Sequence, residues 1–144
     1  MEQHTPAEAP GSIRVTVPFV SGEAQQQQRL HGDLVYDAED PYTVNLVIGV
    51  EGGPRVVWSF ARDLLSDGLY DPCGDGDVLV WPCLSTSGEA VVVIELRSPS
   101  GTAMLQTPSR AVQQFVVEVF EAVPYGAEAE RLDLDSVVSR LLAS

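Results

Sequence analysis

Between Ile13 and Phe60 apolar residues fall on alternate positions, and this two-residue period commits the first part of the chain to half-buried strands. Ile13, Val15, Val17 and Phe19 alternate with Arg14, Thr16 and Pro18. Pro18 has no amide hydrogen to give a ladder, so this strand is expected at a sheet edge or ending there. Leu30, Leu34 and Tyr36 share one face of a second strand, with Gly32 among them. Val44, Leu46, Ile48 and Val50 form a third, entered through the turn signal Glu39-Asp40-Pro41. The loop Glu51-Gly52-Gly53-Pro54 leads to a fourth, with Val56, Trp58 and Phe60 on one face. Four consecutive strands with short turns read as an antiparallel meander. Residues 1–11 are polar with two prolines, and are expected to be a loose arm ahead of a single domain spanning 12–144. Gln25 to Gln28 reads as a loop or the frayed start of the second strand.

The period then changes. Ala61, Leu64 and Leu65 keep helical spacing, with Ser59 as N-cap and Gly68 as stop, which predicts a short helix. Asp71 to Gly76 reads as a rigid, turn-rich connection. Three further strands follow at Val78 to Trp81, Ala90 to Arg97 and Thr102 to Gln106, the last two joined by the turn Ser98-Pro99-Ser100-Gly101. In the middle one Val91 and Val93 are apolar on one face while Val92, Ile94 and Leu96 are apolar on the other. A strand apolar on both faces is covered on both. One cover can be the chain's own helix and the other must be another sheet or another subunit, so a homo-oligomer is expected. Thr107-Pro108 looks like an N-cap followed by proline at the first helical position. Val112, Phe115, Val116, Val119, Phe120 and Val123 then keep one helical face, and a last helix is predicted from about Asp133 with Leu134, Val137, Val138, Leu141 and Leu142 on one stripe. The strand and helix order is ββββ-α-βββ-α-α, an α+β chain of antiparallel sheets with packed helices.

Charge narrows the partners. Eight Arg stand against 21 Asp and Glu, for a formal net charge of -13, and there is no Lys. Phosphate backbones and anionic lipid are held by clustered cations, so neither is an expected partner; such a surface suits a protein or cationic partner, or equally serves solubility alone. No apolar run is long enough to span a bilayer. The first residues lack the basic and apolar regions of a secretion signal, which points to the cytoplasm. The absence of Lys and the single Asn, Asn45, suit a GC-rich genome.

The residues that carry chemistry are sparse. Cys73 and Cys83 lie too far apart for the spacing of a redox or zinc pair and read as free thiols. His31 falls on the polar face of a strand beside Asp33, the setting of a solvated imidazole. No nucleophile elbow, Walker lysine or zincin helix is present. Asp71, Asp75 and Asp77 do not follow the order of a calcium loop, and Gly74 and Gly76 supply turn geometry instead. No catalytic residue, metal ligand or cofactor is expected, and the chain reads as a non-enzyme.

Read in order, Asp40-Pro41-Tyr42, then Trp58-Ser59-Phe60-Ala61-Arg62-Asp63-Leu64-Leu65, Asp67-Gly68-Leu69, Pro72, Gly74-Asp75-Gly76-Asp77-Val78, Trp81-Pro82 and Val123-Pro124 with Gly126 resemble the SsgA-like sporulation and cell division proteins of actinomycetes. The resemblance covers roughly residues 30 to 144 and leans toward the B-type members, although Gln25 to Gln28, Cys73 and Cys83 depart from the family's usual pattern. It implies a whirly-like fold assembling as a trimer. It also implies a cytoplasmic, non-enzymatic adaptor concentrated at division septa, which positions or recruits the tubulin-like protein FtsZ and works with SsgA-type paralogues. Asp63, Asp67 and Asp71, the acids around the short helix, are the candidate partner-binding residues. Whirly-like folds include binders of single-stranded nucleic acid, and this is the alternative reading. Gathering of Arg14, Arg29, Arg55 and Arg97 in one groove would favour it; dispersal would favour the adaptor.

Overall fold

The computed structural model describes residues 12–22, 27–49, 52–129 and 140–142. Two four-stranded antiparallel meanders dominate them. The first comprises β1 (Ser12–Ser21), β2 (Gln28–Asp37), β3 (Thr43–Gly49) and β4 (Arg55–Ala61); α1 (Arg62–Gly68) follows. The second comprises β5 (Cys73–Asp75), β6 (Val78–Leu84), β7 (Ala90–Ser98) and β8 (Gly101–Pro108), and α2 (Ser109–Ala122) closes it. The meanders join into one sheet in the order β4-β3-β2-β1-β8-β7-β6-β5. The predicted alternation holds: Val17, Phe19, Leu34, Tyr36, Val44, Leu46 and Phe60 all enter one core.

Four local expectations are corrected. The connection after α1 contains a short strand, because Cys73, Gly74 and Asp75 pair with Val80, Leu79 and Val78; the order is therefore ββββ-α-ββββ-α among the described residues. Ser59 does not cap α1, because the strand runs on to Ala61 and the Ser59 hydroxyl instead donates to the side-chain Oδ1 of Asn45 across the ladder. Thr107 does not cap α2 either; its hydroxyl donates 2.6 Å to the Pro18 carbonyl, and Pro108 is the non-helical N-cap. Pro18 lies within an interior strand, not at an edge. It is tolerated there because β1 and β8 pair only at Val20 with Gln106 and Ser21 with Leu105, so no ladder bond is asked of its nitrogen. The arm at 1–11 and most of the predicted last helix lie outside the described residues, apart from the helical residues 140–142.

Strand β7 is apolar on both faces, as expected. Val92, Ile94 and Leu96 join the core, and α2 packs on the same side through Val112, Phe115 and Val119. Val91 and Val93 are also buried, yet stand outside the core on the opposite face. There Val93 pairs with Trp81 and Gln106, and Val91 with Cys83 and Pro108.

The two halves are tied together at α1. Leu64 and Leu65 are buried on its inner side, and Gly68 brings its backbone against β6. A Cβ on Gly68 would overlap the Val80 side chain and come 3.2 Å from the Val80 carbonyl oxygen. At the start of α1, Arg62 is 1% exposed, although Arg is among the residues least often fully buried. Its guanidinium donates 2.7 Å to the Val123 carbonyl, 3.3 Å to the Tyr36 hydroxyl and 2.8 Å to Glu128 Oε2. It also lies 4.0 Å from the Phe120 ring centroid. Glu128 in turn accepts the Gly126 amide at 2.8 Å. The Arg62 hydrogen bond, with help from backbone amides, holds the Glu128 carboxyl below its ordinary value.

Three predictions follow from these contacts. Gly68→Ala should lose about 1–3 kcal/mol by overpacking against Val80, measured by urea denaturation. Arg62→Met should cost about 3–5 kcal/mol, because Glu128 stays buried without its partner, and adding Glu128→Gln should recover part of that loss. A lowered folded pKa means that the pair stabilises fully above the ordinary glutamate value of 4.5 and that this contribution drains away as pH falls below it. Stability measured against pH should therefore fall more steeply on the acid side in the native protein than in Glu128→Gln.

Candidate partner-binding surface

The three acids singled out by sequence do not stand in one exposed row. Asp67 and Asp71 are exposed, whereas Asp63 is half-buried and its Oδ1 is buried with no hydrogen-bond partner among the described residues. Burial raises the Asp63 carboxyl above its ordinary value, against the opposing pull of Arg62. Asp67 and Asp71 are brought together by a turn in which the Asp67 carbonyl accepts the amides of Tyr70 and Asp71, both at 3.0 Å. Both charges act on the thiol of Cys73, which burial and these carboxylates push up. A thiol so placed keeps its proton and is a poor nucleophile.

Exposed tyrosines share this region, and sequence reasoning passed over them. Tyr70 is 70% exposed between Asp67 and Asp71, and Tyr125 is 78% exposed beyond α2. Tyr42 is partly exposed in the β2–β3 turn. Two of them are held at the Arg62 junction: the Tyr42 carbonyl accepts the Arg62 amide at 2.8 Å, and Tyr125 stacks 6.4 Å from Phe120, the ring under the guanidinium. An exposed aromatic costs solvation, and such residues are enriched where proteins meet. The signal was present in the sequence, since Pro41-Tyr42, Tyr70-Asp71-Pro72 and Pro124-Tyr125 all put tyrosine within two residues of a proline. Only the fourth, Tyr36, goes into the core.

The arginines do not gather in one groove. Arg14 pairs with Asp33 at 2.8 Å, where Thr16 also donates, and Arg97 pairs with Glu95 at 2.6 Å. Arg29 sits opposite Val20 and Arg55 opposite Gly49, both exposed. His31 is exposed on the outer face of β2. Among the described residues no three of His, Cys, Asp and Glu converge as a metal site would require, and no helix is long and apolar enough to cross a membrane.

Comparison with known proteins identifies the lineage. Residues 30–128 match the family described as "Streptomyces sporulation and cell division protein, SsgA". The sporulation-specific cell division protein SsgB of Streptomyces coelicolor is 46% identical over 110 residues, covering 76% of this chain and 80% of that protein. SsgB of Salinispora tropica is 39% identical over 141 residues, covering 96% and 94%. Among solved structures, an SsgA-like sporulation-specific cell division protein from Thermobifida fusca superposes with a TM-score of 0.83 at 30% identity, covering 92% of this chain and 98% of the other. A structure associated with SsgB mutations that correlate with longitudinal cell division during sporulation of Streptomyces coelicolor superposes at 0.79 with 37% identity, covering 83% and 94%. The chain therefore belongs to the SsgA family of sporulation and cell division proteins, and the Streptomyces and Salinispora relatives above are SsgB proteins.

Proposed function

We propose that the protein is a non-enzymatic adaptor acting at division septa during sporulation, where it positions FtsZ, and that it works as a homo-oligomer, a trimer by family resemblance. The observation that carries the partner reading is the surface around α1, where exposed Tyr70 stands between the carboxylates of Asp67 and Asp71. A phenol ring gives large contact area at low entropy cost, and flanking charges steer encounter. Asp63 contributes to this surface mainly through its place beside Arg62, since its carboxyl is partly withdrawn from solvent. SsgA-type paralogues are further candidate partners for the same surface. The single-stranded nucleic-acid reading is disfavoured by the pairing of Arg14 and Arg97 with acids and by the net charge of -13.

The oligomer has its own support. Val91 and Val93 are buried outside the core, and half-buried Leu79 and Trp81 share their face. Val91 and Val93 are already covered within the chain, so a further layer from another copy would cover what Leu79 and Trp81 leave exposed.

Sedimentation tests both parts. The purified protein should pellet with FtsZ polymers and leave single-stranded DNA in the supernatant at low salt. Asp67→Arg with Asp71→Arg and Tyr70→Ala should weaken FtsZ association by about tenfold or more while the melting curve is unchanged. A folded triple variant that pellets as well as the native chain would dispose of this surface, and salt-sensitive DNA binding without FtsZ association would overturn the adaptor reading. In velocity runs Trp81→Asp should shift the protein from a trimer toward monomer; a native chain that sediments as a monomer would end the oligomer reading.

A further inference from the structure

Strand β4 ends the sheet order and, among the described residues, pairs with β3 alone. Val56 is 49% exposed and Val57 is 59% exposed, with Arg55 and Ser59 exposed on either side. Neighbouring residues of a strand point to opposite faces, so Val56 lies with Trp58 and Phe60 on the core face and Val57 with Ser59 on the outer face. A layer laid on either face would cover one valine and leave the other in water. A strand added at the edge covers both.

The ladder shows which backbone groups this edge offers. The Arg62 amide donates to the Tyr42 carbonyl at 2.8 Å, one step beyond the last register pair, Thr43 with Ala61. Bonded and non-bonded pairs alternate along an antiparallel ladder, so Phe60, Trp58 and Val56 are the residues bonded to β3. The amides and carbonyls of Arg55, Val57 and Ser59 then point to the free side. The register runs from Arg55 to Ala61 without a bulge, and the strand holds no proline, lysine or acid. Edge strands are kept apart by such devices, and β4 has only the charge of Arg55 at its start.

We propose that β4 is a docking edge for the β4 of a second copy, antiparallel about a twofold axis through Val57. In this register Val57 meets Val57, Arg55 meets Ser59 and Val56 meets Trp58. The outward amides and carbonyls are then the ones that pair, giving about six backbone hydrogen bonds. Valine lies against valine on the outer face and against tryptophan on the core face, and each arginine faces a hydroxyl. The two arginines stand at opposite ends, about 14 Å apart along the strands. A patch that matches itself in this way is what a twofold contact requires. Charge agrees: the chain carries a net -13, yet no acid stands on β4, so two copies meet here without the repulsion of their other surfaces. The edge lies on the first meander, away from Leu79 and Trp81 on the second, so it can join copies whether or not that face does.

Sedimentation equilibrium in a Trp81→Asp background reads the edge apart from the Trp81 face. That protein should pass from monomer to dimer as its concentration rises toward about 1 mM. Val57→Pro should abolish the dimer and melt as its parent does, because the amide it removes points away from β3. Val57→Lys, which keeps the amide, should weaken the dimer by about tenfold or more. In a Cys73→Ser, Cys83→Ser background, Val57→Cys should form a disulfide-linked dimer under oxidised glutathione, since facing Cα atoms of a bonded pair lie about 5.5 Å apart. Arg55→Cys and Ser59→Cys should each stay unlinked alone and cross-link when mixed. The proposal fails if the Trp81→Asp protein stays monomeric, if neither Val57 variant weakens its dimer, or if Arg55→Cys links as readily alone as in the mixture. It fails equally if Val57→Pro turns a native trimer into monomer, since the edge would then belong to the trimer contact. Loss of FtsZ pelleting in Val57→Pro with self-association unchanged would give the edge to a partner's strand and overturn the twofold.

Discussion

A guanidinium buried at the first turn of α1 is the contact on which the arrangement of this chain depends. Arg62 gathers the Tyr36 hydroxyl from β2, the Val123 carbonyl and Phe120 face from the end of α2, and the Glu128 carboxylate beyond it. A charge withdrawn from water is tolerable only with a paired opposite charge and further hydrogen bonds. That demand favours the observed return of the chain after α2, since a path that took Val123 and Glu128 elsewhere would leave Arg62 buried without its counter-charge. Its Nε has no hydrogen-bond partner among the described residues, so the site is strongly but not fully satisfied. Hydrophobic packing alone would hold α1 against β6, but it would not specify the segment from Val123 to Glu128.

The remainder of the architecture follows from how little β1 and β8 share. Two register pairs join the meanders, and the Thr107 hydroxyl bonds to the Pro18 carbonyl where the strands begin to part. Helix α2 contacts β1, β7 and β8 and buries Val112, Phe115 and Val119. The outer faces of the two meanders then differ in chemistry. On the first, Arg14, Thr16 and Asp33 form a polar cluster, and Ser59 bonds to Asn45. On the second, half-buried Leu79 and Trp81 lie beside buried Val91 and Val93. A protein that works by assembly would use such a division, with solvent on one side and a companion on the other. The tyrosines near α1 offer a third kind of surface, aromatic and acidic, held by the same junction that holds the fold.

Much of the framework was legible because it is local. Alternation at Ile13 to Phe19 and at Val44 to Ile48 is a property of neighbouring residues, and those strands were assigned to the right face. The spacing of Val112 to Phe120 likewise marked α2. Errors came where two local rules competed with a distant partner. Ser59 and Thr107 are good caps by type, but each found a better acceptor on a neighbouring strand. Cys73 to Asp75 is a short strand only because Val78 to Val80 lies beside it. Of the three candidate acids, sequence could not show that Asp63 turns partly inward while Asp67 and Asp71 stay in solvent.

By itself, then, the sequence determined seven of the eight strands, the amphipathic helix, the acidic charge and, through the ordered block from Trp58 to Pro82, the family. It did so because period, turn chemistry and charge are read over a few residues at a time. Tertiary structure decided the rest. It buried Arg62 by bringing together partners 61 and 66 residues away, and it paired β1 with β8 across most of the chain. It also placed three tyrosines in solvent. Each of these depends on which backbone and side-chain groups find partners once distant segments meet, and no short stretch of sequence carries that information.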